Sequence, residues 1–202
     1  MTRRLGVLGG TFDPIHLGHL ILAQEVCSRL NLERILFVPN RDPPHKRDRA
    51  ITDGDDRLQM VRLAIHDNPA FVLDLSEMER EGPSYAVDTV RALKSRHDCS
   101  ELLFLLGSDA LAGLTSWSRP EELLEEAKLA VVVRPGTSSV DELVEQLRDR
   151  FPTIGDRVEP VESPRIEISG ADIRRRVEFG RPIRYLVPPA VEEYIRREGL
   201  YR

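Results

Sequence analysis

The stretch Gly9-Gly10-Thr11-Phe12-Asp13-Pro14-Ile15-His16-Leu17-Gly18-His19 holds two histidines three residues apart, just after a run of apolar residues. On a first helical turn that spacing puts both imidazoles on one side, with no side chain at Gly18 to obstruct a ligand. Gly9-Gly10 are expected to let the backbone turn tightly after the strand ending at Leu8, into a helix near His16 whose first amides also attract phosphate. Beside a phosphate both rings can donate N–H to its oxygens, and the anion favours the imidazolium form. Two plainer readings stand beside this one. One histidine can cap or pack while the other lies on the surface, or the two can be a metal pair. For the metal, no Cys, Glu or third His is placed nearby to complete a ligand set. Neither GxGxxG nor GxxxxGK[ST] occurs, so those two nucleotide-binding devices are unsupported.

The elements that must position these side chains follow from the apolar pattern. Strands are expected at Leu5–Leu8, Ile35–Val38, Phe71–Leu75, Leu102–Leu106, Leu129–Val133 and, more weakly, Val158–Val161. Several are continuous apolar blocks, as expected for parallel strands covered on both faces. Between them, Leu17/Leu20/Ile21, Leu58/Val61/Ile65, Val87/Val90/Leu93 and Leu143/Leu147 recur at helical spacing. Thr52 or Asp53 can cap the second helix, and a last helix runs from Pro188-Pro189 to Gly199. The expected fold is α/β: a Rossmann-like open parallel sheet with helices on both faces, plus a small C-terminal helical portion. Residues 1–202 are expected to form a single domain. In such sheets ligands bind beyond the carboxyl ends of the strands, which makes the segments at 40–50 and 135–139 suspects.

Composition narrows the class. A net charge of −5 over 202 residues argues against a nucleic-acid binder. No apolar run approaches a membrane span and no signal peptide is visible. Cys27 and Cys99 form no CxxC pair, so a reduced, cytoplasmic setting is expected. Pro43-Pro44-His45-Lys46 is a stiff loop carrying two cations, with Lys46 the stronger phosphate candidate.

The whole opening stretch resembles the signature of the H-x-G-H nucleotidyltransferases, a superfamily that includes the class I aminoacyl-tRNA synthetases. In detail it is similar to the bacterial nicotinate mononucleotide adenylyltransferase family. The resemblance runs over nearly the whole chain. It is carried by Val38-Pro39-Asn40, Pro43-Pro44-His45-Lys46, Gly82-Pro83-Ser84-Tyr85, Gly107-Ser108-Asp109-Ala110-Leu111 and Trp117. Arg134-Pro135-Gly136, Ile168-Ser169 to Ile173-Arg174, and Gly199-Leu200-Tyr201-Arg202 continue it.

What the resemblance implies is adenylyl transfer from ATP to nicotinate mononucleotide, giving deamido-NAD and pyrophosphate. His16 and His19 would serve the α-phosphate, with Lys46 and Arg174 as further cationic catalytic residues. ATP would lie on Gly9, Gly10, Thr11, Phe12, Gly107, Asp109, Ile168 and Ser169. The mononucleotide would meet Asn40, His45, Ser84, Tyr85, Trp117 and Arg134. Asp109 has an alternative as a helix cap. Mg²⁺ would arrive on ATP, with no metal site of the protein's own. The chain departs from the family pattern at Ala171, where Thr is usual in I-S-x-T-x-I-R, and at Ala86, where Thr is usual after Ser-Tyr. Two alternatives remain: a sibling transferase using nicotinamide mononucleotide or pantetheine phosphate, and a non-catalytic nucleotide sensor.

Overall fold

The computed structural model describes residues 3–41, 51–80, 82, 84–133, 139–164 and 166–202. The strands are β1 (Arg4–Gly10), β2 (Arg34–Pro39), β3 (Phe71–Leu73), β4 (Glu101–Gly107), β5 (Lys128–Val133) and β6 (Val158–Glu162). They form one parallel sheet in the order β3-β2-β1-β4-β5-β6. The helices are α1 (Leu17–Arg29), α2 (Gly54–Ile65), α3 (Ala86–Arg96), α4 (Ser108–Ala112) and α5 (Pro120–Glu126). They continue as α6 (Val140–Leu147), α7 (Ile154–Arg157), α8 (Gly170–Glu178) and α9 (Pro189–Glu198).

Alternating side chains on each strand feed two separate cores, as the period of a strand requires. Ile35, Phe37, Leu103, Leu105, Ala130 and Val132 face one layer with Val26, Met60, Ile173 and Val191 from α1, α2, α8 and α9. Leu5, Val7, Leu36, Leu102, Leu129 and Val131 face the other, with Val90, Leu111, Leu123 and Leu143 from α3 to α6. Both faces are therefore covered, which explains the unbroken apolar blocks in the sequence. The expected α/β architecture and its C-terminal helical portion are what the chain adopts.

Local deviations have physical causes. β3 stops at Leu73 rather than Leu75, because Asp74 is buried and its Oδ1 accepts the Ser76 N–H at 2.8 Å while Oδ2 meets His97 Nε2 at 2.9 Å. Asp53, not Thr52, caps α2 by accepting the Asp55 N–H at 2.8 Å. Gly199 closes α9 at φ 67°, a left-handed position that suits glycine.

β1 and β4 are neighbours although two strands separate them in the chain. After β1 the connections run one way to β2 and β3, then return to β4 on the other side. This reversal opens a crevice at the carboxyl ends of β1 and β4, the expected place for a ligand in such a sheet.

Candidate active site

A cavity of about 1030 Å³ lies at that crevice, lined from Leu8–Pro14 through His16, His19 and Asn40 to Ser84–Ala86, Phe104–Gly107, Ser116–Ser118, Ser169–Ala171 and Arg174. Helices α1, α3, α4 and α8 all begin on it. Their N-termini aim partial positive charge and backbone N–H groups at one volume, which suits an anionic ligand.

The loop from β1 to α1 carries the histidines. Gly9 and Gly10 do not make its turn, as the sequence suggests; they extend β1, paired with Val38 and Pro39 of β2. The chain turns instead at Phe12, with φ 49°, and at Asp13-Pro14, whose peptide bond is cis. The Phe12 ring lies against Gly10, where a Cβ would stand 3.2 Å from it. Gly18 likewise leaves space for a neighbouring side chain rather than a ligand: a Cβ there would meet His16 Nδ1 at 3.0 Å.

His16 is the N-cap of α1 and His19 stands in its first turn. The two rings stack with centroids 3.7 Å apart, and Phe12 meets His19 edge-on at 5.2 Å. His19 Nδ1 accepts the His16 backbone N–H at 3.2 Å. That bond fixes the tautomer, so the neutral ring carries its proton on Nε2 as a donor. His16 is 7% exposed, and its Nδ1 is buried without a hydrogen-bond partner. Burial pushes its pKa down to about 4. Such a ring is neutral near pH 7, whereas an anion beside it would favour the imidazolium.

This burial has a measurable consequence. The unfolded chain binds the His16 proton near pH 6.5 and the folded one only near 4, so stability is complete above the higher value and falls as the pH drops through that window. The loss amounts to about 3 kcal/mol. His16→Asn should remove that slope, which urea unfolding at about pH 7 and about pH 4.5 would reveal.

Arg174 and Asp13 join α8 to the same loop. Arg174 Nη1 donates to the Asp13 carbonyl and stands 3.6 Å from its carboxylate, which is 3% exposed. Tyr201 donates its hydroxyl to Asp13 Oδ1 at 2.8 Å, and burial next to that carboxylate raises the phenol's pKa. A Cβ at Gly170 would come 2.8 Å from the Asp13 carbonyl oxygen, so only glycine lets the α8 start approach this closely. Ser169 caps α8, accepting the Asp172 N–H at 3.2 Å. Arg175 and Arg176 both turn to Asp172 at 2.7 Å, so of the three consecutive arginines Arg174 alone lines the cavity.

Behind the loop, Arg57 of α2 is 2% exposed and donates to Thr11 O at 2.9 Å, Asn40 O at 2.8 Å and Thr52 O at 2.9 Å. It ties the ends of β1 and β2 together; Asn40 N also donates to Gly10 O at 2.9 Å. At the far end, Trp117 is half-buried and packs edge-on against Phe104 with centroids 6.1 Å apart. Tyr85, also on the lining, is the N-cap of α3 and makes no side-chain cap bond.

The cavity therefore gathers His16, His19, Arg174, Gly9, Gly10, Thr11, Phe12, Gly107, Ser169, Asn40, Ser84, Tyr85 and Trp117 from the sequence candidates. Asp109 and Ile168 are not among its lining. Asp109 is exposed on the first turn of α4, whose cap position belongs to Gly107, and Ile168 packs against the core. His45, Lys46 and Arg134 lie outside the described residues. Sequence reasoning passed over Asp13, Tyr201, Arg57 and Glu77. The first two sit inside motifs that the sequence had already singled out, whereas nothing local marks Arg57 or Glu77. Among the described residues no three His, Cys, Asp or Glu side chains gather as a metal cage, and no helix is long and apolar enough to cross a membrane.

The cytidylyltransferase-like family matches residues 7–176. A Thermomicrobium roseum protein named "Probable nicotinate-nucleotide adenylyltransferase" is 48% identical over 98% of this chain and 92% of its own length. A Geobacillus thermodenitrificans protein of the same name is 44% identical over 98% and 86%. Among solved structures, the Plasmodium falciparum nicotinic acid mononucleotide adenylyltransferase complexed with NaAD superposes with a TM-score of 0.78, at 20% identity, over 98% of this chain and 97% of that one. That likeness speaks for the fold, and the sequence matches speak for kinship: the chain belongs to the cytidylyltransferase-like family and, within it, to the nicotinate-nucleotide adenylyltransferases.

Proposed function

We propose that this chain, as one nucleotidyltransferase domain, transfers the adenylyl group of ATP to nicotinate mononucleotide, forming deamido-NAD and releasing pyrophosphate. The observation that carries the reading is the stacked His16–His19 pair at the start of α1, facing one cavity with Arg174 and the start of α8. An oxygen of the mononucleotide 5′-phosphate attacks the α-phosphorus, and the bond from that phosphorus to the bridging oxygen of the β-phosphate breaks. The attacking oxygen is already anionic, so the protein aligns the reactants and stabilises charge rather than removing a proton.

In this scheme His19 Nε2–H and the neutral His16 ring serve the α-phosphate, while Ser169, the α8 amides and Arg174 receive the leaving pyrophosphate. His45 and Lys46, whose loop follows β2, would add cations from the mononucleotide side, and Arg134 would act from beyond β5. Mg²⁺ would arrive on the triphosphate, where it would neutralise phosphate charge. The cavity carboxylate Asp13 is already engaged by Tyr201 and Arg174, and the remaining donor set suits anions. A soluble, cytoplasmic setting fits substrates of this kind.

Trp117 and the start of α3 bracket the place proposed for the pyridine ring, since an indole face suits a cationic aromatic ring. Trp117→Ala should raise KM for the pyridine mononucleotide about tenfold with little change for ATP. An effect confined to ATP would move Trp117 to the other end of the site. The activity itself is tested by pyrophosphate release with ATP against nicotinate and nicotinamide mononucleotides. Turnover favouring nicotinate supports the proposal, and tight ATP binding without pyrophosphate release contradicts it.

A further inference from the structure

Two carboxyl groups line the cavity among the described residues, and they differ in how they are held. Asp13 is matched by Arg174 and Tyr201. Glu77 is 5% exposed, stands against the first turn of α3 through Thr89, and its Oε2 is buried with no hydrogen-bond partner. An ionised carboxylate in such a place would be costly.

We infer that Glu77 sets the charge preference of the pyridine end of the site. As the uncharged acid it leaves the field of the α3 start to the ring carboxylate of nicotinate; as a carboxylate it would repel that group and favour the uncharged amide. The inference rests on the function proposed above and extends it to the choice between two substrates.

The hydrogen bonding supports the uncharged form. The Thr89 hydroxyl has one proton and faces two oxygens, Glu77 Oε1 and Tyr85 O, the latter at 3.1 Å. A proton on Glu77 lets both contacts be bonds, with Glu77 donating to Thr89 and Thr89 donating to Tyr85 O. Burial is the largest influence on this carboxyl and raises its pKa, against the Thr89 and Ser84 hydroxyls and the charge of Arg80.

Among the charges around it, Arg80 opposes the uncharged form, and its Nη2 is itself buried without a hydrogen-bond partner. Arg80, from the same loop, acts on Glu77 without forming an ion pair among the described residues. Asp88 of α3 is paired with Arg119, whose guanidinium also lies 5.9 Å from the Tyr85 ring centre. Asp74, beyond β3, is held by His97. His16 and His19 share the cavity but stand at the proposed phosphate end.

The sign follows from the raised pKa. Preference for nicotinate is fullest below the folded-state value and is lost as pH rises through it. The readout is the ratio of kcat/KM for nicotinate mononucleotide to that for nicotinamide mononucleotide, because phosphate titration and the histidines affect both substrates alike. As the pH rises through the raised folded-state value the ratio should fall about tenfold in the wild-type protein, the effect of one nearby charge. In Glu77→Gln it should stay flat, since the amide cannot ionise. Glu77→Met is a second uncharged variant, should the first fail to fold, and should be equally flat. A flat ratio in the wild type, or the same fall in wild type and variants, overturns the inference. Failure of both pyridine mononucleotides to turn over with ATP would instead overturn the proposed function, and this inference with it.

Discussion

His19→Ala should lower kcat by about 10²–10³-fold, the usual consequence of losing one well-placed donor to charge developing in the transition state. The KM values should move little, because the interaction lost is one made chiefly at the transition state. Folding should be largely spared. His19 accepts one backbone N–H, from His16, and the substitution also removes its stack on the His16 ring and its edge contact with Phe12. A lost cap of this kind costs about 1 kcal/mol, or about 2–4 °C in melting temperature for a chain of this size. Stopped assays and a thermal melt on the same preparation separate the two effects. A variant that keeps kcat within about threefold of wild type shows that His19 is a capping residue and no more.

Arg174→Ala should be damaging in both respects. The guanidinium joins α8 to the loop between β1 and α1 and stands beside the Asp13 carboxylate. Its removal takes a cationic neighbour from that buried charge, while Tyr201 keeps its hydrogen bond to it, and should lower stability by about 3 kcal/mol. In activity, kcat/KM for ATP should fall by about 10²-fold or more through the loss of a charged donor to pyrophosphate. Arg174→Lys restores the charge without the planar fork, so it should recover stability better than activity. Equal recovery of both would make Arg174 a strut for the loop and remove it from the chemistry.

Much of this architecture was legible because parallel strands covered on both faces read as unbroken apolar blocks, and all of the expected strands occur. Their order was not legible, since no local pattern marks the parallel ladder that β1 forms with β4 across two intervening strands of the chain. The motif around His16 and His19 located the cavity, yet the glycines within it misled. Gly9 and Gly10 look like a turn but extend β1, and Gly18 accommodates the His16 ring. Asp109 and Ile168 sit in the expected segments but are not on the lining: Asp109 is exposed on the first turn of α4, and Ile168 packs against the core. Arg57 and Glu77 were hidden for the opposite reason. Each sits among other charged residues, in Asp55-Asp56-Arg57 and Glu77-Met78-Glu79-Arg80, a pattern usual for surfaces, and only the fold buries it. Tyr201 lies at the chain's end, far in sequence from the Asp13 that it bonds.

The most direct measurement is a crystal structure of the protein with deamido-NAD bound. The account expects His19 Nε2 to lie about 3 Å from a non-bridging oxygen of the adenylyl phosphate, with the His16 ring stacked behind it. A dinucleotide whose diphosphate sits away from both rings would contradict the assignment of the transferring site to the start of α1.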